Sequence, residues 1–217
     1  MSVPAPANWP RLLAITDLSV LAEDALLTRF ARLAKAAVPG SVALLLRDHA
    51  ASARSRLGLG KRLQAVARDA GQALWVADRL DLALLLQADA VHLGEGSVTA
   101  NAARRWIGSD LRISRAWHTA SLEGAPAAAE LADVDALLVS PVLAPRKGRP
   151  ALGLATLGVL GEQLRARNRA CQLYALGGVS SENAADCVRV GAVGVAAMGA
   201  AQAEQPAALL SALQILR

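Results

Sequence analysis

The chain has 217 residues, of which 54% are apolar, 3% aromatic and 19% charged. This apolar fraction excludes a disordered chain, and two cysteines are too few for a disulfide scaffold, so we expect reduced thiols and a cytoplasmic location. The sequence has no run of about 18 apolar residues, which excludes a membrane span. The net charge of +5 comes from arginines scattered over segments with helical spacing. Such scatter is typical of solvated helix faces, so neither a nucleic acid nor a membrane is expected as a partner.

Eight short apolar runs follow one another along the chain, each nearly continuous in hydrophobicity. Such runs are typical of parallel strands that are buried on both faces. The predicted strands are residues 12–16, 42–47, 73–77, 90–93, 111–116, 136–140, 172–176 and 194–198.

Segments with helical spacing alternate with these runs. The predicted helices are residues 21–37, 60–70, 80–87, 100–106, 121–131, 154–167, 181–190 and 206–216. Ser181 stands at the expected N-cap of one of them, because serine is a preferred capping residue.

Eight strand–helix units in this length give about 27 residues each, which is typical of a compact (β/α)8 TIM barrel. We therefore predict a single α/β barrel domain over residues 1–217, with residues 1–10 as an N-terminal extension. A doubly wound open sheet is the alternative, because the periodicity predicts alternation and not closure.

Active residues of barrels lie at the carboxyl ends of the strands and in the loops that follow. Gly177-Gly178 follows the seventh run and Met198-Gly199 follows the eighth. Glycines let the backbone approach an anion closely, and these two loops often form one phosphate site in barrels. We predict phosphate binding there, with ordinary tight turns as the alternative.

All three histidines follow predicted strands. His118 at the end of the fifth run could carry a proton near neutral pH, or it could be a buried, hydrogen-bonded residue. His92 is flanked by apolar residues and is expected to pack inside the barrel. His49 lies in a loop and its role stays open.

Four acidic residues could hold Mg²⁺ if they converge, since this cation prefers oxygen ligands. They are Asp17, Asp48, Asp78 and Glu95. Capping and ion pairs with arginine are the alternative. The basic segment 146–149 is interpreted either as a mobile loop over a phosphate or as an exposed turn.

Seven short motifs at consecutive strand ends resemble the thiamine phosphate synthase / thiazole tautomerase superfamily in content and in order. They are Leu13-Ala14-Ile15-Thr16-Asp17, Ala77-Asp78-Arg79, Val91-His92-Leu93-Gly94, Trp117-His118-Thr119, Ser140-Pro141-Val142, Ala175-Leu176-Gly177-Gly178-Val179 and Gly194-Val195-Ala196. The similarity extends from about residue 12 to residue 201. It implies a (β/α)8 barrel that binds a thiazole phosphate at Gly177, Gly178, Met198 and Gly199.

The resemblance implies one of two activities. The synthase joins an aminopyrimidine pyrophosphate to the thiazole phosphate with the help of Mg²⁺. The tautomerase isomerises a thiazole carboxylate phosphate by proton transfer without a cofactor, using a histidine that His118 matches.

Several positions depart from the synthase pattern. The Gln-x-Arg-x-Lys motif keeps only Arg47, and the asparagine before Asp78 is Ala77. Ser97 replaces an expected Mg²⁺ carboxylate, which Glu95 could compensate, and Ala116 replaces a serine. These departures favour proton transfer over a metal-assisted departure of pyrophosphate.

The first hypothesis is therefore a cofactor-free, tautomerase-like isomerase in which His118 moves the proton and Lys147 or Arg47 binds the carboxylate. A divergent synthase is the alternative, and only this alternative requires Mg²⁺ at Asp78. A third hypothesis is a non-catalytic barrel that binds a phosphorylated metabolite. A homodimer also stays open, because apolar barrel helices often bury against a partner.

Overall fold

The computed structural model describes residues 9–123 and 129–217. Its strands are β1 (Leu12–Ile15), β2 (Val42–Leu46), β3 (Ala73–Ala77), β4 (Ala90–Leu93), β5 (Arg112–Trp117), β6 (Ala136–Val139), β7 (Gln172–Leu176) and β8 (Gly194–Ala197). The helices are α1 (Glu23–Ala36), α2 (Ala53–Ala70), α3 (Leu80–Leu85), α4 (Ala100–Ile107), α5 (Gly153–Arg167), α6 (Ala184–Arg189) and α7 (Ala207–Ala212), with a 3-10 turn at Ala200–Gln202.

The strands form a closed barrel in chain order. Each strand pairs in parallel with the next, and β1 pairs with β8 through Leu12 and Val195. This closure excludes the open doubly wound sheet and confirms the predicted (β/α)8 barrel. It also places the carboxyl ends of all these strands at one face of the molecule.

Side chains alternate along the strands between two apolar layers, as the two-residue repeat of a strand requires. In β2, Val42, Leu44 and Leu46 pack outward against the helices, while Ala43 and Leu45 face the barrel interior. Alanines make up much of the inner layer, which is why a chain with 3% aromatic residues can fill a narrow barrel.

Three aromatic rings pack together inside the barrel, near the end where β1 begins. Trp9, Trp75 and Tyr174 lie with ring centroids 6.0–6.4 Å apart, and the Tyr174 hydroxyl donates to the Pro10 carbonyl at 2.7 Å. Trp9 and Pro10 therefore belong to the barrel core and not to an N-terminal extension. Residues 1–8 of that predicted extension lie outside the described residues.

Two predicted helix starts are wrong. Helix α2 begins at Ala53 and not at residue 60, because the Ser52 side chain accepts a hydrogen bond from the Ser55 N–H and caps an extra, polar first part. Helix α6 begins at Ala184, and Ser181 is not its N-cap.

The helix predicted at 121–131 falls partly on residues 124–128, which lie outside the described residues. In the ranges that the structure does describe, every helix is too short or too polar to cross a bilayer.

Candidate active site

A cavity of about 660 Å³ opens at the carboxyl ends of the strands, a size typical of small-molecule sites. Its apolar lining consists of Ile15, Leu45, Ala116, Leu138, Leu176 and Met198, with Gly94, Gly96, Pro141 and Gly177. Its polar lining consists of Arg47, His49, Asp78, His92, Glu95, Ser97, His118, Ser140, Arg146, Lys147 and Arg149. All three histidines therefore reach one space, together with most of the predicted site residues.

Asp78 enters this cavity from a tight turn at the end of β3. The Arg79 N–H donates to the Ala77 carbonyl at 2.8 Å across Asp78, whose φ is +62°. This is a γ-turn in the left-handed region, which non-glycine residues rarely occupy. The Asp78 N–H donates to the His92 carbonyl at 2.8 Å and fixes the turn to β4. Strained backbone of this kind concentrates at functional sites.

The Asp78 carboxylate is a hydrogen-bond acceptor for the loop after β4. The Gly94 N–H donates to Oδ1 at 2.7 Å, and the Ser97 hydroxyl donates to the same atom. His49 Nδ1 lies 3.3 Å from Oδ2. Burial alone would raise the pKa of Asp78, but the hydrogen bonds from Ser97 and Gly94, with the nearby His49, outweigh it and lower the pKa. The carboxylate is therefore charged at neutral pH.

His118 is oriented by the strand next to its own. Its Nδ1 lies 2.7 Å from the Ser140 carbonyl oxygen and 3.2 Å from the Ser140 hydroxyl. Because a carbonyl oxygen only accepts, Nδ1 carries the proton, and Nε2 of the neutral ring is left as an acceptor. A histidine held in this way can take up a proton at Nε2.

His92 lies deeper than the other two histidines. It is buried, as the sequence predicted, and its Nδ1 is 2.7 Å from the Ser114 hydroxyl. Burial, which outweighs the nearby Asp78 charge, lowers the pKa of His92 to about 4. The ring is neutral at neutral pH and forms part of the cavity wall.

The two glycine turns differ in whether their backbone and surroundings require glycine. Gly177 and Gly178 have φ of +100° and +75°, and a Cβ on Gly178 would lie 2.7 Å from the Ala144 Cβ. Gly199 has open space where a Cβ would stand. Gly177 and Met198 line the cavity, and Gly178 and Gly199 are the next residues along the chain. Among the hydrogen bonds of the described residues, none uses the N–H of Gly178 or Gly199, so both are available to an anion.

The basic segment after β6 is an ordered hairpin turn. Arg146 and Arg149 exchange two backbone hydrogen bonds of 3.0 Å, and Lys147 and Gly148 between them have φ of +51° and +74°. These angles are those of a type I′ turn. The Arg149 guanidinium pairs with Glu95 at 2.7 Å and ties this turn to the loop after β4.

Cationic side chains stand on two opposite sides of the cavity. Arg47 follows β2, whereas Arg146 and Lys147 follow β6, which lies across the barrel from β2. Within residues 9–123 and 129–217, these three cations form no ion pair with an acidic side chain. The cavity can therefore neutralise two separate anionic groups.

Of the four acidic residues that the sequence offered as Mg²⁺ ligands, only Asp78 and Glu95 line the cavity. Asp17 accepts from the Ser19 N–H, and Asp48 accepts from the Leu18 N–H at 2.7 Å, and neither lines the cavity. Glu95 lines the cavity and is paired with Arg149. Asp17 caps its own loop, whereas Asp48 ties the loop after β2 to the N–H of Leu18, 30 residues earlier in the chain.

The described residues do not form a metal site from protein ligands alone. They contain no group of three or more His, Cys, Asp or Glu side chains able to hold a metal. Mg²⁺, however, is commonly held by one or two carboxylates together with substrate phosphates and water. Asp78 supplies one charged, cavity-facing carboxylate. The residues therefore fit Mg²⁺ that is brought in by a phosphorylated substrate.

Sequence reasoning missed one charged residue next to this site. Arg56 was counted among the solvated arginines but is only 5% exposed, and its Nη2 donates to the Ala77 carbonyl at 2.6 Å. The sequence does indicate that Arg56 is buried, because it lies three and seven residues before Leu59 and Leu63 on the apolar face of α2.

The family model described as thiamine monophosphate synthase (TMP-TENI) matches residues 12–201. The thiamine-phosphate synthase of Natronomonas pharaonis is 37% identical over 173 residues, which cover 78% of each chain. That of a Roseiflexus species is 35% identical over 201 residues, covering 91% of this chain and 80% of the relative.

A solved structure agrees with these matches. The thiamine phosphate pyrophosphorylase of Pyrococcus furiosus superimposes with a TM-score of 0.73 and 26% identity, and the match covers 94% of this chain and 92% of that one. The family model accounts for well over half of the chain, and the fold agrees along nearly all of it. The chain belongs to the thiamine monophosphate synthase family.

Proposed function

We propose that this chain forms thiamine phosphate from an aminopyrimidine pyrophosphate and a thiazole phosphate. The observation that carries the proposal is its 35% and 37% identity to relatives named thiamine-phosphate synthase. This reverses the order of the hypotheses drawn from the sequence, which put a tautomerase first and the synthase second.

The reaction joins two substrates that each carry an anion. The thiazole nitrogen attacks the methylene carbon of the aminopyrimidine, the bond from that carbon to oxygen breaks, and pyrophosphate leaves with the electron pair. No proton changes place in this step. Two separated groups of cations, Arg47 on one side and Arg146 with Lys147 on the other, suit two substrates that meet in the middle of one cavity.

The chain's own residues would divide the work between the two ends. The N–H groups of Gly178 and Gly199 would bind the phosphate of the thiazole, with Gly177 and Met198 forming the wall beside it. Arg47 and Asp78 would serve the pyrophosphate end, Asp78 as the ligand of Mg²⁺. Mg²⁺, when bound, neutralises charge that develops on the leaving pyrophosphate. The apolar wall of Leu45, Leu138 and neighbouring side chains limits the access of water to the electrophilic carbon.

The test is product formation with both substrates, with Mg²⁺ or with EDTA, followed by mass spectrometry of thiamine phosphate. Asp78→Asn should lower the rate by about 10²-fold or more, because it removes the one charged metal ligand. Asp81→Asn is the matched control, since Asp81 is paired with Arg79 and does not line the cavity. Equal rates for Asp78→Asn and the wild type would contradict the role of Asp78.

A tautomerase is the second candidate, and the orientation of His118 favours it. Nδ1 is bound to the Ser140 carbonyl, so Nε2 can take a proton from a substrate carbon and return it. Arg47 or Lys147 would bind the carboxylate of that substrate. Metal-free NMR with the thiazole carboxylate phosphate tests this candidate by conversion of one tautomer to the other. Binding of the thiazole phosphate with neither activity would instead identify a non-catalytic binding protein.

A further inference from the structure

Arg56 is a charged residue that lies inside the protein. It is 5% exposed and sits in the first turn of α2, where the capped Ser52 turn directs it onto the same helix face as Leu59 and Leu63. Burying a charge is costly unless polar partners compensate it. The contacts of its guanidinium therefore indicate its role.

The guanidinium of Arg56 donates to one backbone carbonyl. Arg56 Nη2 donates to the Ala77 oxygen at 2.6 Å, while its Nε is buried without a hydrogen-bond partner. No carboxylate in the described parts of the chain lies within ion-pair distance of Arg56. Its direct bond is to the residue that precedes Asp78, and Arg56 does not itself line the cavity.

The Ala77 carbonyl also closes the turn that presents Asp78. It accepts the Arg79 N–H at 2.8 Å across Asp78, which is held at a φ of +62°. A left-handed aspartate persists only where its surroundings hold it there. The surroundings here are the His92 carbonyl, which accepts the Asp78 N–H, and the guanidinium behind Ala77.

We infer that Arg56 is a positioning residue: through the Ala77 carbonyl it holds the γ-turn that directs the Asp78 carboxylate into the cavity. The identity of the ligand at Asp78, a magnesium pyrophosphate, rests on the proposed function. The role of Arg56 in the turn rests on the geometry alone.

The test uses three variants of the full chain. Arg56→Met removes the charge and the donors but keeps an unbranched side chain. Arg56→Lys keeps the charge and one donor able to bind a carbonyl. Arg62→Met is the matched control, because Arg62 lies on the same helix, is half exposed and pairs with Glu23 and Asp24 away from the cavity.

Two readouts separate positioning from general stability. The first is the affinity for inorganic pyrophosphate in the presence of Mg²⁺, measured by calorimetry. We expect a loss of about 10–100-fold in Arg56→Met, as for other residues that orient a metal ligand, a smaller loss in Arg56→Lys and wild-type affinity in Arg62→Met. The second is hydrogen exchange of the Arg79 and Asp78 amides by NMR, which should be faster in Arg56→Met and unchanged in Arg62→Met.

The outcomes distinguish this inference from the proposed function. A folded Arg56→Met with wild-type affinity and wild-type exchange at both amides overturns it, and if that variant does not fold, the same result in Arg56→Leu, which also lacks a donor, does so. If the wild type binds no pyrophosphate, the proposed function fails, and amide exchange alone then decides the role of Arg56.

Discussion

At the scale of single residues, three histidines share one cavity but have different environments. His118 is oriented through Nδ1, because the neighbouring strand offers the Ser140 carbonyl. His49 stands beside a carboxylate, and burial, opposed by the Asp78 charge, lowers its pKa. His92 is buried against Ser114. The three histidines therefore differ in proton affinity and orientation because their contacts differ.

Replacing His118 should separate the two candidate activities. His118→Asn removes the proton acceptor, so tautomerisation should slow by about 10²–10⁴-fold. Thiamine phosphate formation should stay within about tenfold of the wild type, because the condensation moves no proton. Both rates can be followed by NMR on one protein preparation. A loss of 10²-fold or more in the condensation would mean that His118 acts in that step.

His92 should make folding stability depend on pH. Its pKa is about 4 in the folded protein and 6.5 ordinarily, so between these values the unfolded chain binds more protons. The lowered pKa of His92 therefore leaves the free energy of unfolding intact above pH 6.5 and reduces it as pH falls toward 4. Between pH 6.5 and pH 5 the loss should be roughly 2 kcal/mol. Urea unfolding of the wild type and of His92→Asn measures it, and parallel pH profiles for the two proteins would contradict the prediction.

At the scale of elements, the loops after β6 and β7 support each other. Gly178 packs against Ala144 in the loop after β6, and Leu143 N–H donates to the Gly177 carbonyl at 2.9 Å. The turn at Arg146–Arg149 extends from that loop to Glu95. A substrate phosphate bound at Gly178 would therefore lie beside the loop after β6.

Gly178 and Gly199 should differ in how strongly an added side chain lowers folding stability. Gly178→Ala should cost about 2 kcal/mol or more of unfolding free energy, because its φ is +75° and the new Cβ would meet Ala144. Gly199→Ala should change stability by less than about 0.5 kcal/mol, since nothing lies within 4 Å of its Cβ. Denaturant unfolding of both variants measures this, and equal losses in the two would refute the packing argument.

Lys147 is a cation placed at an unfavourable turn position. Its φ of +51° suits asparagine better, so Lys147→Asn should keep or slightly raise the melting temperature. The same change removes a cation that faces the cavity and should raise KM for a phosphorylated substrate about tenfold. Thermal unfolding and steady-state kinetics give the two quantities. An unchanged KM would place Lys147 outside the binding site.

At the scale of the whole molecule, periodicity predicted the alternation of strands and helices but not the closure of the barrel. Short apolar runs indicated the strand positions, and the number of units favoured a barrel, but only the β1–β8 pairing in the structure shows that the sheet is closed. The order of strands also placed Arg47, His118 and Gly177 at one face. Long-range hydrogen bonds were not predictable: Ser97 to Asp78, Arg149 to Glu95 and Arg56 to Ala77 join residues distant in sequence, and no local pattern specifies such pairs.

Two exposed apolar side chains favour the homodimer that the sequence analysis left open. Leu85 and Trp106 are large apolar residues that are 69% and 59% exposed on α3 and α4, two helices that contact each other. Burial of such side chains favours association. Light scattering should give the mass of two chains, and Leu85→Arg with Trp106→Arg should give the mass of one. A wild-type mass of a single chain would contradict the dimer.

The most direct test of the proposed synthase is a single turnover with protein in excess over both substrates and Mg²⁺ present. The proposal predicts one pyrophosphate released for each thiamine phosphate formed, and neither product when the thiazole phosphate is omitted. A folded protein that binds both substrates and yields neither product would contradict it.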